Sequence, residues 1–124
     1  MNQDTYQAIL DSVKNPIVFV DNDHIIRYLN RSAKVRYYEK RGYSDLIGKS
    51  ILDCHNSISA NQITEAHDRL QKGENEVYLE PDKNQERVTV VVGVRDVGGI
   101  LLGYYARSER QNRIQLNATP SISC

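Results

Sequence analysis

At 124 residues the chain has room for one domain around one core, and 40% hydrophobic with 26% charged residues suits a globular fold. Sixteen Lys and Arg balance sixteen Asp and Glu, so the charge marks neither a nucleic-acid footprint nor electrostatic membrane binding. No apolar run approaches the roughly 20 residues of a membrane span, and the start MNQDTYQAIL lacks the basic and apolar regions of a secretory leader. Cys54 and Cys124 are too few and too far apart for a disulfide framework. A reduced, cytoplasmic protein is expected.

Tyr6, Ile9, Leu10 and Val13 recur at i, i+3, i+4 and i+7 and predict one amphipathic helix, ended by Asn15-Pro16. PIVFVD (16–21) and IIRYL (25–29) read as strands joined by the turn DNDH, a hairpin in which His24 is expected to be solvated. Asn30 caps a helix running to Tyr43, with Ala33 and Tyr37 on its inner face and Gly42 as its stop. In YSDLIGKS, Ser44 is expected to cap a single helical turn that Gly48 ends; ILD follows as a short helical or extended piece.

Residues 58–73 predict the longest helix. Ser59 and Gln62 fit a capping box, Ile58 and Ile63 a hydrophobic staple, and Gly73 a C-terminal stop. Ile63, Ala66, His67 and Leu70 share its inner face, so His67 reads as a core-edge residue beside Leu70. The last third reads as β: EVYLE (76–80), the turn PDKNQE, RVTVVVGVR (87–95), the turn DVGG, and ILLGYYAR (100–107). Val88, Val90, Val92 and Val94 alternate with Thr89, Val91, Gly93 and Arg95, while Ile100, Leu102, Tyr104 and Ala106 share one side of the closing strand. Both faces are partly apolar, so each needs cover, from the short helices on one side and from the N-terminal helix or a second subunit on the other. Residues 108–124 predict a short helical extension that frays.

The adjacent Cys54 and His55 are the obvious candidates for chemistry. In an extended piece their side chains diverge, and no Cys-x-x-Cys or His-x-x-x-His completes a zinc set. A thiol nucleophile needs a base and an orienting group, and a histidine next in sequence is poorly aimed. With no paired carboxylates or triad, a binding module is expected rather than an enzyme, with Cys54 as a small buried residue. His55, Asn56 and the amides of the following helix start suit a carboxylate or another anion.

The order of helix, two strands, short helices and three strands, carried by PIVFVDNDHIIRYLNRSA, GYSDLIGKSILD, the helix ending in Gly73 and VTVVVGVRDVGGILLGYY, resembles the PAS sensor domain over about residues 5–107. Asn30 matches the Asn that opens that family's first inner helix, and Tyr43 to Lys49 match its Y-S-x-x-E-L-I-G-K turn, with Asp45 at the acidic position. The resemblance implies an α+β fold: a five-stranded antiparallel sheet, order 2-1-5-4-3, around a pocket closed by short helices. Residues 1–15 would form a helical cap, 16–107 the PAS domain and 108–124 the extension. It also implies a small-molecule-sensing input module of a histidine kinase or transcription regulator. Such modules act on an output domain or partner signalling protein, commonly as homodimers. Asp53-Cys54-His55 resembles a subset of bacterial and archaeal PAS domains, and ARSER stands where many members carry D-I-T.

The cofactor is unknown. The flavin-reactive motif N-C-R-F-L is absent. Haem is an alternative, with His55 as the first candidate axial ligand and His67 as the second; no other metal is expected. The ligand candidates are His55, Asn56, Cys54, Asn30, Tyr37, His67, Val90, Val92, Leu102 and Tyr104, and the homodimer candidates are Tyr6, Ile9, Leu10, Val13 and Val91. A gas- or redox-sensing haem domain and a ligand-free dimerisation module are the competing functions.

Overall fold

The computed structural model describes residues 2–79 and 86–110. An asparagine opens each of its three α-helices: Asn2 before α1 (Gln3–Ser12), Asn30 before α2 (Arg31–Lys34) and Asn56 before α3 (Ser57–Gln71). Each side-chain oxygen accepts a backbone N–H three residues on, satisfying a donor that the helix itself cannot. Helix α3 therefore starts earlier than the expected Ser59 box, and Ile58 is 71% exposed instead of forming a staple.

Helix α2 does not continue as an α-helix. From Val35 to Lys40 the backbone widens into a π turn, and the Arg41 N–H reaches back five residues to the Arg36 carbonyl. The helical turn expected at Ser44 is absent. Asp45 and Gly48 take positive φ (34° and 90°), and the Leu46 N–H donates to the Tyr38 hydroxyl. Ser50 instead caps a 3₁₀ turn, Ile51–Cys54.

Strands β1 (Val18–Asp21), β2 (Ile26–Leu29), β3 (Glu76–Tyr78), β4 (Arg87–Arg95) and β5 (Leu101–Arg110) form one antiparallel sheet in the order β2-β1-β5-β4-β3. The expected fold and strand order are thus present. Strand β5 runs on through Arg110, where a helical extension was expected from 108, because Ser108–Arg110 stay paired with Arg87–Thr89. The rest of that extension, Glu80 and most of the expected turn after it lie outside the described residues.

The inner face of the sheet presents Val20, Leu29, Val77, Val91 and Tyr104 to Ala33, Leu46, Ala66 and Leu70, and these buried residues make the core. A register shift opposite Val94 and Arg95 leaves Leu102 in a bulge. Next to it a Cβ on Gly103 would collide with the Val20 carbonyl, so β1 and β5 meet over a glycine. The bulge breaks the expected alignment of Ile100, Leu102 and Tyr104 on one side. On the outer face Arg107 pairs with Val90 in register and bonds Glu76 on β3 (2.8 Å) and Glu109 (2.7 Å). The bridge passes over β4, and the aliphatic stem of Arg107 helps to leave Val90 fully buried.

Asn30 is also fully buried. Its Oδ1 accepts the N–H groups of Ile17 (2.9 Å) and Ala33 (3.0 Å). Its Nδ2 donates toward the carbonyls of Leu10 (3.0 Å), Asn15 (3.1 Å) and Val13 (3.3 Å). One amide thus ties the end of α1, the loop after it, the approach to β1 and the start of α2.

Histidines make a second tie. His24, at φ 66°, is half-buried, contrary to the solvated turn residue expected. Its Nδ1 shares a 2.6 Å hydrogen bond with the Tyr104 hydroxyl, and its ring meets His67 edge-on at 4.8 Å. The His67 Nε2–H donates to Asn22 Oδ1 (3.0 Å), while Asn22 Nδ2 donates to the Leu101 carbonyl (2.8 Å). The β1–β2 turn, α3 and β5 are joined by these bonds. Burial lowers the pKa of His67 below its ordinary 6.5 and neighbouring His24 adds to this, with Asp68 opposing.

Two predictions follow from these ties. Asn30→Ala should lower unfolding stability by about 3 kcal/mol or more, because several buried backbone groups lose their partner together. Asn30→Asp should also be destabilising, since a carboxylate cannot donate to three carbonyls; urea unfolding measures both, and a loss under about 1 kcal/mol for Asn30→Ala would contradict this role. For His67, the unfolded chain takes up a proton more readily than the fold. The stability it supports is therefore full above pH 6.5 and is lost as pH falls through the lower pKa of the folded state. Urea midpoints at about pH 7.5 and about pH 5 should differ less in His67→Gln than in the parent protein.

Candidate functional site

A cavity of about 640 Å³ lies between the inner face of the sheet and the helical segments, within the range common for small-molecule sites. The sheet supplies Val18, Val20, Val91 and Tyr104, and the other walls are Ile26, Tyr37, Leu46, Ile51 and Ile63. Of these, Val20, Ile26, Leu46, Val91 and Tyr104 are buried, so the floor is largely apolar. Its rim is exposed and polar, with Tyr43, Cys54, His55, Thr89 and Ser108.

Four of the ligand candidates named from sequence line this space: Tyr37, Cys54, His55 and Tyr104. Cys54 is exposed at the rim, not buried as expected, because the 3₁₀ turn ends there and the chain leaves the core. The His55 Nδ1–H donates to the Ile51 carbonyl (2.8 Å), and its Nε2 has no partner among the described residues.

The other candidates lie elsewhere. Asn30 is consumed by the five bonds above. Asn56 does not line the cavity, and its side chain caps α3 by accepting the Ser59 N–H (2.9 Å). His67 is turned to Asn22 and His24 and does not line the cavity. Leu102 sits on the bulge and is 45% exposed.

The two faces of β4 are the reverse of the expected ones. Val91, expected at a dimer surface, is a cavity wall beneath α3, whereas Val90 and Val92, expected in the pocket, face outward. The Cβ position of Gly93, two residues from Val91, meets Leu70 of α3 and shows which face is inner. Tyr6, Ile9 and Leu10 of α1 and Val13 just after it are all exposed.

The structure adds residues that sequence reasoning missed. Arg36 and Arg41 line the cavity from the helical side, and Arg87 lines it from β4. Residues five apart on an α-helix point about 140° from each other, so helical periodicity separates Arg36 from Arg41. The π turn, with its five-residue hydrogen bond, brings both to the cavity side with Tyr37. The Arg41 guanidinium lies over the Tyr37 ring, 5.4 Å from its centre. Arg87 is held by Ser108, its Nε donating to Oγ (2.6 Å) and its Nη2 to the carbonyl (2.9 Å). Only the pairing of Tyr37 with Arg41 at i, i+4 hinted at this in the sequence.

Among the described residues no group of three His, Cys, Asp or Glu could hold a metal ion, and no helix is long and apolar enough to cross a membrane.

Compared with known proteins, the sequence has no match among those of curated function. Solved structures do match in fold. The C-terminal domain of a Streptococcus mutans protein is 17% identical with a TM-score of 0.69, covering 94% of this chain and 90% of that one. The PAS domain of BvgS from Bordetella pertussis is 16% identical with a TM-score of 0.63, covering 95% and 93%. A sensory box sensor histidine kinase from Vibrio cholerae is 19% identical with a TM-score of 0.57, covering 86% and 89%. The family model described as "PAS domain" matches residues 6–105. With that match over most of its length, and with the strand order and helix-closed cavity described above, the chain belongs to the PAS domain family.

Proposed function

We propose that this chain is a small-molecule-sensing PAS module of a signal-transduction protein, without catalytic chemistry of its own. The observation that carries the reading is the cavity: a buried apolar floor with a few polar groups at its rim, the usual build of a ligand site. Similarity to a sensor histidine kinase from Vibrio cholerae supports a kinase or transcription-regulator context, with an output domain or partner protein as receiver. A ligand shifts a conformational equilibrium only through contacts that differ between the two states. Strand β5 suits that task, because Tyr104 and Ser108 line the cavity while Arg107 and Glu109 hold the outer face. A ligand that presses on Tyr104 also loads the bond between its hydroxyl and His24.

Haem is the second reading, and His55 is the residue that would hold it. Its Nδ1–H is spent on a carbonyl and its Nε2 has no partner among the described residues, the usual arrangement of a ligating imidazole. Haem would supply an iron centre for a diatomic gas or for redox change. Homodimerisation through the exposed Tyr6, Ile9 and Leu10 of α1 and Val13 at its end accompanies either reading.

Native mass spectrometry of freshly purified protein should find a bound small molecule. Val91→Trp, which fills the floor of the cavity, should reduce its capture at least about tenfold while the protein stays folded. A protein that retains no small molecule, or one whose bound molecule Val91→Trp leaves in place, would support the interaction-module reading instead. A Soret band that disappears in His55→Ala would establish haem. For the dimer, mass in solution should be twice that of one chain and fall to one chain in Ile9→Glu/Leu10→Glu.

A further inference from the structure

We propose that the cavity takes an amphipathic carboxylate: an organic acid whose head meets Arg36, Arg41 and Arg87 and whose aliphatic or aromatic body enters the apolar floor. This rests on the reading of the cavity as a ligand site. The chain as a whole has equal numbers of acidic and basic residues, yet among the described residues lining the cavity every charged side chain is an arginine and none is Asp or Glu. Arg107 also borders the cavity, but its guanidinium is turned to the outer face and engaged there by Glu76 and Glu109. Among the described residues neither Arg36 nor Arg41 has a carboxylate partner, and Arg87 bonds only through Nε and Nη2 to Ser108. A guanidinium carries five N–H donors in a planar fork that matches a carboxylate.

The three arginines, none with a carboxylate partner among the described residues, come from both walls. Arg36 and Arg41 are brought together by the π turn, and Arg41 is held over Tyr37, itself a wall residue. Arg87 stands on the strand opposite, fixed by two bonds to β5. Arg41 and Arg87, so held, lose less freedom on binding than unrestrained surface arginines do. Positive charge that no described carboxylate pairs also raises the local concentration of anions at the mouth. The anion expected from sequence at the start of α3 has less to meet there, since Asn56 already accepts the Ser59 N–H and His55 donates Nδ1–H to Ile51. Positive recognition belongs to the arginines on the other side of the same cavity.

The neutral partner of such an acid separates charge recognition from apolar burial. Titration calorimetry with decanoate and 1-decanol should show decanoate binding at least about tenfold tighter. Arg36→Gln/Arg41→Gln should bring the two within about threefold of each other, with unfolding by urea showing the variant folded. Inorganic phosphate at the decanoate concentration should not displace decanoate. Equal binding of decanol and decanoate by the parent protein, or a preference unchanged in the double variant, overturns the arginine head site while the sensing cavity stands. Displacement by phosphate overturns the amphipathic requirement. Absence of binding by decanoate and decanol alike, with no molecule retained in native mass spectrometry, overturns the cavity reading itself.

Discussion

The N-terminal half of the domain is organised by one buried amide. Asn30 ends one hairpin, starts one helix and holds the backbone of the segment that enters the sheet, through two accepted and three donated hydrogen bonds. A buried polar group is stabilising only when its bonds are all made. Here the bonding groups belong to α1, the loop from Val13 to Asn15, Ile17 and α2, so the side chain is satisfied only when those pieces are in place together. The position of α2 in turn sets where the π turn begins, and with it the helical wall of the cavity. Asp11 adds to the same joint, accepting the Arg31 N–H (2.9 Å) and the Tyr28 hydroxyl (3.1 Å).

The other end of the fold depends on the histidine cluster. His24, His67 and Tyr104 meet where the hairpin turn, the long helix and the last strand converge. Tyr104 belongs to both systems, with its ring in the cavity wall and its hydroxyl on His24. Burial raises the pKa of the Tyr104 phenol, which therefore stays protonated and able to hydrogen-bond. The cavity and the polar tie behind it thus share one side chain, and β5 carries it. A sheet wall that is also the strand joining the hairpin to β4 is well placed to report occupancy, because its register is pinned by pairing on both sides.

Much of the fold was legible in the sequence, for local reasons. The hairpin at residues 16–29, the Asn30 cap, the stop at Gly73 and the alternating valines of β4 each depend on near neighbours. The order of elements then pointed to the sheet topology. The errors share a different cause. Ser59 and Asn56 are both good caps three residues apart, and local chemistry alone does not choose between them. Valine occupies both faces of β4, so alternation described a strand without saying which face is inner. The bulge at Leu102 depends on the close approach of β1 to Gly103 across the sheet. His24 looked like an exposed turn residue because its partners are far away in sequence, at positions 67 and 104.

The candidate site divides in the same way. Tyr37, Cys54, His55 and Tyr104 were found as residues of the right type near the right elements, and they do line the cavity. The arginines were not, since the departure from α-helical spacing at Val35–Lys40 arises where the chain must leave α2, and nothing in the spacing of RSAKVRYYEKR announces it. Caps, turns and periodicity act over a few residues, and the chain's own pattern therefore specifies a PAS-type order of strands and helices. Which valines face the cavity, which histidine is tied away from it and which charges lie around it are matters of long-range packing. Those are settled by groups that meet across the fold, at sequence separations that local patterning does not reach.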